Sequence, residues 1–252
     1  MDEAELAAAA AANFLGSFAK LVEHGEGEVR GSGGVFAFVT GHPISLFNGC
    51  VVDERVSAAE LEDALRWVRE HGVPHRAWIA DALVEELGHV PLEAGLRLAP
   101  EPFPNMVLHP VPEAPASAED VSVRAVERAS RDALIDVSVD LGMPRELAER
   151  VFTPALLGDP DVRMCVASLA GHPVGTSLAI RTGDASGVYS VGTVRAARRR
   201  GVGSAATWAA VEAGRAWGCD VVVLQSTPMA VAMYEAMGFR TVATHAMFLP
   251  PV

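Results

Sequence analysis

The clearest pattern of apolar and polar positions lies in the second half of the chain. Val188 to Thr193 alternates in the manner of a half-buried strand, and the Ala-rich amphipathic run from Ala205 to Trp217 predicts a helix. Asp220 to Ser226 is a short apolar run with polar ends, which predicts a buried strand. The order strand, helix, strand indicates an α/β unit.

Helix-capping residues predict the elements that follow. A second helix is expected from Met229 to Met237, with Thr227 as its N-cap and Pro228 in its first turn. Gly238 suits the C-cap, because glycine adopts the left-handed conformation that ends many helices. Phe239 to Leu249 is then predicted as a further strand.

The first half of the chain shows a similar order of elements. Ser57 is predicted to cap a clear amphipathic helix from Ala58 to Glu70. The other predicted elements are a helix at Glu5–Glu23, a glycine-rich turn at Gly31–Gly34, strands at Val35–Thr40, Ile44–Val51 and Arg76–Ile79, a helical turn at Leu83–Leu87, and extended segments at Leu96–Leu98 and Met106–Leu108.

An arginine-rich loop, Thr193 to Ser204, joins the alternating strand to the Ala-rich helix. It carries three consecutive arginines and then Gly201 and Gly203 at the mouth of the helix. Helix N-termini present unpaired N–H groups and the positive end of the dipole, and glycine allows a ligand to approach those groups closely. The loop therefore suits a pyrophosphate.

Three interpretations of this loop compete. Gly201 to Ala206 fits the dinucleotide pattern G-x-G-x-x-A, but a polar stretch separates the first glycine from the strand, and Asp220 begins the next strand instead of ending it. A P-loop is excluded because G-x-x-x-x-G-K-[ST] does not occur and Lys20 is the only lysine. The third interpretation is a solvated arginine turn before a surface helix.

The motifs and their order favour a different nucleotide. Arg198-x-x-Gly201-x-Gly203, followed by helix, strand, helix and Tyr234-x-x-x-Gly238-Phe239, resembles the GNAT superfamily of acyl-CoA N-acyltransferases over roughly residues 119 to 252. The resemblance implies a mixed, mostly antiparallel sheet flanked by helices, in the α/β (α+β) class. It also implies acetyl-CoA as the cosubstrate, with no metal.

The resemblance assigns roles to individual residues. The end of the strand would pair its backbone with the pantetheine arm, and the backbone N–H groups of Arg199 to Ser204 would hold the pyrophosphate. Two positions depart from the family pattern: Arg195 stands where proline is frequent, and Ser226 with Thr227 where asparagine is frequent. The residues expected to bind acetyl-CoA are Val191, Gly192, Thr193, Arg198, Arg199, Arg200, Gly201, Val202, Gly203, Ser204 and Ser226.

Tyr234 matches the usual general acid of the family. Transfer of an acetyl group from a thioester to an amine needs a neutral amine, a stabilised oxyanion and a proton for the leaving thiolate. A tyrosine hydroxyl, with a reference pKa of about 10, can protonate a thiolate of similar basicity, and backbone donors near Thr193 can stabilise the oxyanion. Cys165 and Cys219 lie on apolar segments and are expected in the core, so direct transfer in a ternary complex suffices.

The general base is left open by the residues. Val188 to Thr193 contains no acid, although some family members carry a glutamate on this strand. A water chain is one possibility, and the side-chain candidates are His172, Asp184, Tyr189 and His245. His172 lies in Ala170-Gly-His-Pro173, which is typical of a hairpin turn between two strands.

Composition and charge limit the classes of partner and the cellular environment that we expect for the protein. Residues 1–118 carry 7 Lys and Arg against 18 Asp and Glu, whereas residues 119–252 carry 13 against 14. The acidic first half disfavours nucleic acid and favours a cationic amine, although such surfaces also serve solubility. Three cysteines without C-x-x-C favour a reducing cytoplasm over a disulfide framework or a zinc site. The chain has no uninterrupted apolar run of about 18 residues, and its N-terminus is acidic, so we expect neither a membrane span nor a signal peptide.

Two tandem GNAT-like units are predicted, residues 1–118 and 119–252, joined by the Pro- and Ala-rich stretch His109 to Ser117. The first unit lacks the arginine–glycine loop and the tyrosine, so it is expected to be degenerate and not to bind acyl-CoA. The whole is expected to be a cytoplasmic monomer or homodimer that acetylates an amine of a small molecule or peptide. The alternative is a non-catalytic acyl-CoA-binding or interaction module.

Overall fold

The structure, a computed structural model, describes residues 1–32 and 34–251. Its internal contacts divide the chain into two compact units. Unit 1 comprises Met1–Ser17, Val107–Gln225 and Ala232–Arg240, and unit 2 comprises Phe18–Met106, Ser226–Val231 and Thr241–Val252. Each unit thus contains segments from both halves of the sequence. The predicted division of the sequence into residues 1–118 and 119–252 stays a prediction.

Helices and strands alternate along the chain. In the first half they are α1 (Glu3–Glu23), β1 (Glu28–Ser32), β2 (Val35–Val39), β3 (Asn48–Val52), α2 (Ala58–Glu70), β4 (Arg76–Ala80), α3 (Val84–Leu87), α4 (His89–Glu93), β5 (Arg97–Leu98) and β6 (Phe103–Leu108). In the second half they are β7 (Val121–Ala125), α5 (Arg131–Asp140), α6 (Arg145–Val151), α7 (Pro154–Leu157), β8 (Val162–Leu169), β9 (His172–Thr182), β10 (Ala185–Thr193), α8 (Val202–Ala216), β11 (Val221–Gln225), α9 (Val231–Ala236) and β12 (Arg240–Leu249).

Two predicted elements start two or more residues later than expected. The strand predicted from Ile44 begins only at Asn48, because the Asn48 side chain donates to the His42, Ile44 and Pro74 carbonyl groups and holds the preceding residues in a turn. The helix predicted from Met229 begins at Val231, after a turn closed by a hydrogen bond from the Ala230 N–H to the Thr227 carbonyl. In the glycine-rich turn predicted at Gly31–Gly34, Gly33 lies outside the described residues.

The strands of unit 2 follow the order β1-β2-β3-β4-β12-β6, and β5 pairs with β12. The pairs β1–β2 and β2–β3 are antiparallel, whereas β3 and β4 are parallel and are connected through α2. Ser57 caps α2 as predicted, within a capping box closed by Glu60. The buried face of α2, Leu61, Ala64, Leu65 and Val68, packs into the core formed with β2, β3 and β4.

The strands of unit 1 follow the order β11-β10-β9-β8-β7, and only β10 and β11 are parallel among the described pairs. Its strands β8-β9-β10-β11 therefore repeat the antiparallel, antiparallel, parallel pattern of β1-β2-β3-β4 in unit 2. In both units a long helix connects the parallel pair, α2 in one and α8 in the other. This agreement in topology supports the predicted tandem arrangement. The strand pairing within each unit is mixed and largely antiparallel, as the sequence predicts.

Helices cover both faces of the sheet in unit 1. Small residues let α8 approach closely: a Cβ added to Gly214 would lie 2.7 Å from the Ser186 Cβ. Successive strand residues point to opposite faces. One residue further along β10, a Cβ on Gly187 would lie 2.0 Å from the Asn13 Oδ1 atom of α1. The N-terminal part of α1 therefore covers the face opposite α8.

Within residues 1–32 and 34–251, α1 is the one helix long and apolar enough to cross a membrane by length and composition alone. Buried helices of soluble proteins pass the same test. One side of α1 is buried, including Leu6, Ala10, Phe14 and Phe18. Asn13, also buried, donates through its side chain to the Ile180 and Ala185 carbonyl groups. The expectation of no membrane partner stays a prediction.

Candidate functional site

The two parallel strands of unit 1 separate before they end. The described pairing of β10 with β11 covers three rows, from Ala185 opposite Val221 to Gly187 opposite Val223. On its other side, β10 stays paired with β9 as far as Thr193, opposite Gly175. Among the described residues no strand pairing continues on the β11 side of β10 beyond Gly187, and these backbone groups are candidates for binding an extended ligand. Ligands of open α/β sheets commonly bind outside the carboxyl ends of parallel strands.

A β-bulge bends β10 at the point of separation. The register against β9 shifts between Tyr189 and Gly192, and Ser190 has the left-handed φ of 49°. The Thr176 hydroxyl donates to the Ser190 carbonyl at 2.8 Å and so holds the irregular residue in place. Bulges redirect the strand and are frequent next to active sites. The bulge lies directly before the predicted pantetheine-binding residues, Val191 to Thr193.

The loop after β10 is ordered by its own hydrogen bonds. A short 3-10 helix, Arg195–Ala197, follows directly, and the Val194 N–H donates to the Val174 carbonyl at 2.9 Å. The Arg198 Nε donates to the Thr193 carbonyl at 3.2 Å. These contacts hold the loop although arginine stands at position 195, where the family pattern has proline. The side chains of Arg198, Arg199 and Arg200 are exposed to solvent.

The N-terminus of α8 is open to a ligand. Its N-cap, Gly201, has a φ of 80°, and no side chain caps the helix. The first bond of the helix runs from the Ala205 N–H to the Gly201 carbonyl at 3.0 Å. The N–H groups of Val202, Gly203 and Ser204 belong to the first turn, whose donors have no partner within the helix. Three exposed arginines next to an uncapped helix start fit the pyrophosphate that the sequence predicts.

Gly203 marks the point where the predicted residues meet. A Cβ added there would lie 3.4 Å from the Met233 Sδ and 3.5 Å from the Thr193 Oγ1, which is ordinary contact distance. The end of β10, the first turn of α8 and helix α9 therefore converge. The glycine is not required by packing within the protein, because a Cβ would fit.

Tyr234 points from α9 toward the same helix. It is 6% exposed, and its ring packs edge-on against Phe239 at 5.8 Å between ring centres. Its hydroxyl hydrogen-bonds with Thr207, and the Thr207 hydroxyl donates to the Gly203 carbonyl at 2.9 Å. Burial raises the pKa of Tyr234 above its ordinary value, so the side chain is neutral at physiological pH. Tyr234 therefore keeps its proton and is connected to Gly203 through the Thr207 hydroxyl. A tyrosine in this state is suited to act as an acid.

Ser226 follows β11 and belongs to unit 2. Its N–H donates to the Pro104 carbonyl at 3.0 Å, and its hydroxyl donates to the Thr227 carbonyl at 2.8 Å. The side chain is buried, with 1% of the residue exposed. Its predicted contact with acetyl-CoA stays a prediction.

The side-chain candidates for the general base lie at different places in the structure. Asp184 lies in the turn before β10, nine residues from Thr193, which corresponds to roughly 30 Å of extended strand. Tyr189 donates its hydroxyl to the Asn13 Oδ1 at 2.6 Å, and burial raises its pKa, which disfavours the deprotonated form. His172 is exposed beside the β8–β9 turn.

His245, the last candidate, lies in a buried polar cluster of unit 2. Its Nε2 is 2.6 Å from the Asp53 Oδ1, and its Nδ1 is 2.6 Å from the Asn105 Nδ2. Asp53 directly follows β3, and His245 pairs with Ala80 at the end of β4. The cluster therefore lies next to the ends of the parallel strands of unit 2, with both ring nitrogens of the histidine engaged.

Two side chains lie near the site although no pattern in the sequence indicates that they belong to it. Leu141, at the end of α5, lies over the end of β10, since a Cβ on Gly192 would come within 2.5 Å of its Cδ1. The Met233 Sδ would lie 3.4 Å from a Cβ added at Gly203. Both are apolar residues whose positions depend on tertiary packing, so the chain pattern gives no indication of them.

Comparison with known proteins agrees with this geometry. Residues 130–239 match the family model of the acetyltransferase (GNAT) family. No curated protein matches the sequence. A GCN5-related N-acetyltransferase from Kribbella flavida is 19% identical, with a TM-score of 0.68 over 96% of this chain and 95% of that chain. One from Sphaerobacter thermophilus is 17% identical, with a TM-score of 0.60 over 87% and 78%. A tandem GNAT protein from the clavulanic acid biosynthesis pathway is 15% identical, with a TM-score of 0.58 over 85% and 77%. These structures show that the fold is shared.

Proposed function

Since residues 130–239 form a domain of the GNAT acetyltransferase family, we propose that this protein is an N-acetyltransferase. It transfers the acetyl group of acetyl-CoA directly to a primary amine of a small molecule or peptide, in a ternary complex. The observation that carries the proposal is the uncapped start of α8 beside the unpaired edge of β10. Acetyl-CoA carries a pyrophosphate next to an extended pantetheine arm. Its binding therefore needs a helix start that can hold the pyrophosphate and, beside it, a strand edge that can pair with the arm.

The residues of unit 1 fit each part of acetyl-CoA. The N–H groups from Arg199 to Ser204 are proposed to bind the pyrophosphate, and the three arginine side chains add positive charge around it. The backbone of Val191, Gly192 and Thr193 is proposed to pair with the pantetheine arm. When bound, acetyl-CoA supplies a thioester-activated acetyl group. Backbone donors near Thr193 are then placed to stabilise the charge that develops on the acetyl oxygen.

Tyr234 is proposed as the residue that returns a proton to the departing thiolate. Because burial raises its pKa, the hydroxyl keeps its proton at neutral pH and can donate it. Phe239 packs against the ring and Thr207 hydrogen-bonds to the hydroxyl, so the donor is held in one position. The amine proton is proposed to leave through water.

The cysteines support direct transfer without an acyl-enzyme. Cys50, Cys165 and Cys219 are all buried and none of them forms a disulfide. Burial raises the pKa of each thiol, which disfavours the thiolate that a nucleophile requires. We also propose a cytoplasmic location, which rests on the three cysteines without C-x-x-C in the sequence.

Unit 2 is proposed to have no acyl-CoA site, because its own residues occupy the corresponding positions. The Glu60 carboxylate accepts a hydrogen bond from the Ser57 N–H, and the Ser57 hydroxyl accepts one from the Glu60 N–H. An internal anion thus lies at the start of α2, where unit 1 leaves α8 uncapped. The parallel pair remains in register to Val52 opposite Ile79, and the His245–Asp53 contact follows.

A panel of primary amines incubated with acetyl-CoA, with release of free thiol as the readout, tests the proposal. We expect thiol release that requires both an amine and the intact loop, together with an acetylated amine detected by mass spectrometry. Gly203→Val should abolish it. Gly31→Val is the matched control, because among the described residues no atom other than those of its chain neighbours lies within 4 Å of a Cβ added at that position. Binding of acetyl-CoA without transfer to any amine would instead favour a non-catalytic acyl-CoA-binding module.

A further inference from the structure

The first strand of unit 2, β1, lies at the end of the strand order and pairs with β2 alone among the described residues. An edge strand presents backbone N–H and C=O groups that can pair with a strand of another chain, so proteins usually cover or interrupt such edges. Glu28, Val29, Arg30 and Gly31 of β1 are all exposed. The edge is therefore open to solvent.

The side chains of β1 alternate between the two faces of the sheet. Val29 lies opposite Phe38, whose ring is fully buried, yet 42% of Val29 is exposed. Glu28 and Arg30 lie on the other face, and neither forms an ion pair within residues 1–32 and 34–251. The edge thus presents an apolar side chain on one face and two unpaired, opposite charges on the other.

We propose that β1 is the interface of a homodimer, in which the β1 strands of two copies pair antiparallel about Val29. In this register Val29 lies opposite the partner's Val29, and Glu28 lies opposite the partner's Arg30. Because the two-fold axis passes through the Val29 row, the same Glu–Arg row forms a second time on its other side. Apolar pairs and opposite charges in facing positions stabilise strand pairing, in addition to the backbone hydrogen bonds.

The two charges select this register over its neighbours. An axis through Glu28 would place two carboxylates opposite each other, and an axis through Arg30 would do the same for two guanidinium groups. Like charges in facing positions are unfavourable. Charged residues on an edge strand generally oppose association. Here they oppose the two neighbouring registers and favour the one centred on Val29.

A second copy of the chain is the occupant that fits this edge, because Glu-Val-Arg is complementary to itself when the strand is reversed. The pairing involves only three rows of residues, those of Glu28, Val29 and Arg30. Three rows bury much less surface than the interface of a stable dimer. The association is therefore weak and reversible, and it increases with protein concentration.

Sedimentation velocity of the full-length protein over a series of concentrations measures the association. Glu28→Arg and Arg30→Glu each convert two attractive rows into two repulsive ones, so each should weaken self-association by about 10-fold or more. An equimolar mixture of the two variants should form a heterodimer about as strong as the wild-type dimer. One chain then carries two arginines and the other two glutamates, and both Glu–Arg rows are restored.

Glu62→Arg and Arg69→Glu are the matched controls. They change the net charge by the same amounts at exposed positions of α2, away from β1, and should leave self-association unchanged. The double variant Glu28→Arg with Arg30→Glu keeps the net charge and should recover wild-type self-association. Amide hydrogen exchange in β1 should also become slower as the wild-type concentration increases, because backbone groups at the edge gain partners.

The inference is overturned if the wild-type protein stays monomeric at the highest concentration reached. It is also overturned if both charge reversals leave self-association at the wild-type strength, or if their mixture associates no more strongly than each variant alone. Either result would place the contact on another surface. None of these measurements uses acetyl-CoA, so their outcome is independent of the proposed function.

Discussion

Replacing Tyr234 by phenylalanine tests the proposed chemistry at a single atom. The substitution keeps the ring, so the edge-on contact with Phe239 and the burial of the side chain are retained. Only the hydroxyl is lost, and with it the hydrogen bond to Thr207. Thr207 keeps its bond to the Gly203 carbonyl, so the first turns of α8 should be undisturbed.

The expected effects on rate and stability differ in size. A general acid contributes about 10²- to 10⁴-fold to a rate, so kcat should fall within that range. One lost hydrogen bond is worth about 0.5–1.5 kcal/mol, which lowers the melting temperature by only a few degrees in a protein of this size. The affinity for acetyl-CoA should change little, because the hydroxyl is proposed to act on the thiolate and not on the bound cosubstrate.

Tyr189→Phe provides the matched control, since these are the two tyrosines of the chain. Its hydroxyl is also buried and hydrogen-bonded, but to Asn13 of α1. We expect a small loss of stability and an unchanged kcat. Steady-state kinetics with an accepted amine, together with a single-turnover measurement of the chemical step, would separate the two variants. If Tyr234→Phe keeps the wild-type rate of the chemical step, the hydroxyl is not the acid and Tyr234 serves packing alone.

Three further predictions follow from the site and the charge distribution. Gly203→Val should abolish acetyl-CoA binding in calorimetry while far-UV circular dichroism is unchanged; retained affinity would contradict the loop assignment. The free energy of unfolding should fall as the pH rises above about 10, because the unfolded chain loses the Tyr189 proton there while the folded protein, in which burial raises that pKa, keeps it. In urea unfolding, the free energy of unfolding of Tyr189→Phe should fall less at alkaline pH than that of the wild type. An equal fall would contradict the role of Tyr189. The KM for a cationic amine should increase between low and physiological ionic strength if the acidic first half attracts it, and a salt-independent KM would exclude such steering.

Local signals were sufficient for several elements. The bounds of α2 were predicted correctly because the capping box between Ser57 and Glu60 is specified within four residues. The loop from Thr193 to Ser204 can also be recognised from the sequence, since its arginines and glycines lie close together in the chain. The start of α9 was predicted too early, because the turn at Pro228 is compatible with both a helix and a closed loop.

Features that depend on distant partners were not predictable in this way. The separation of β10 from β11 and the bulge at Ser190 arise from strand pairing, which a single strand sequence does not encode. The same holds for Leu141 over Gly192, where the two residues are far apart in the chain.

Equilibrium binding of acetyl-CoA and of NAD to the wild-type protein tests the central claim most directly. The glycines of the loop also fit a dinucleotide pattern, so the two ligands distinguish the acyl-CoA assignment from the alternative. Calorimetric titration should show saturable binding of acetyl-CoA at one site per chain and no binding of NAD. Binding of NAD without binding of acetyl-CoA would contradict the account and identify the loop as a dinucleotide site.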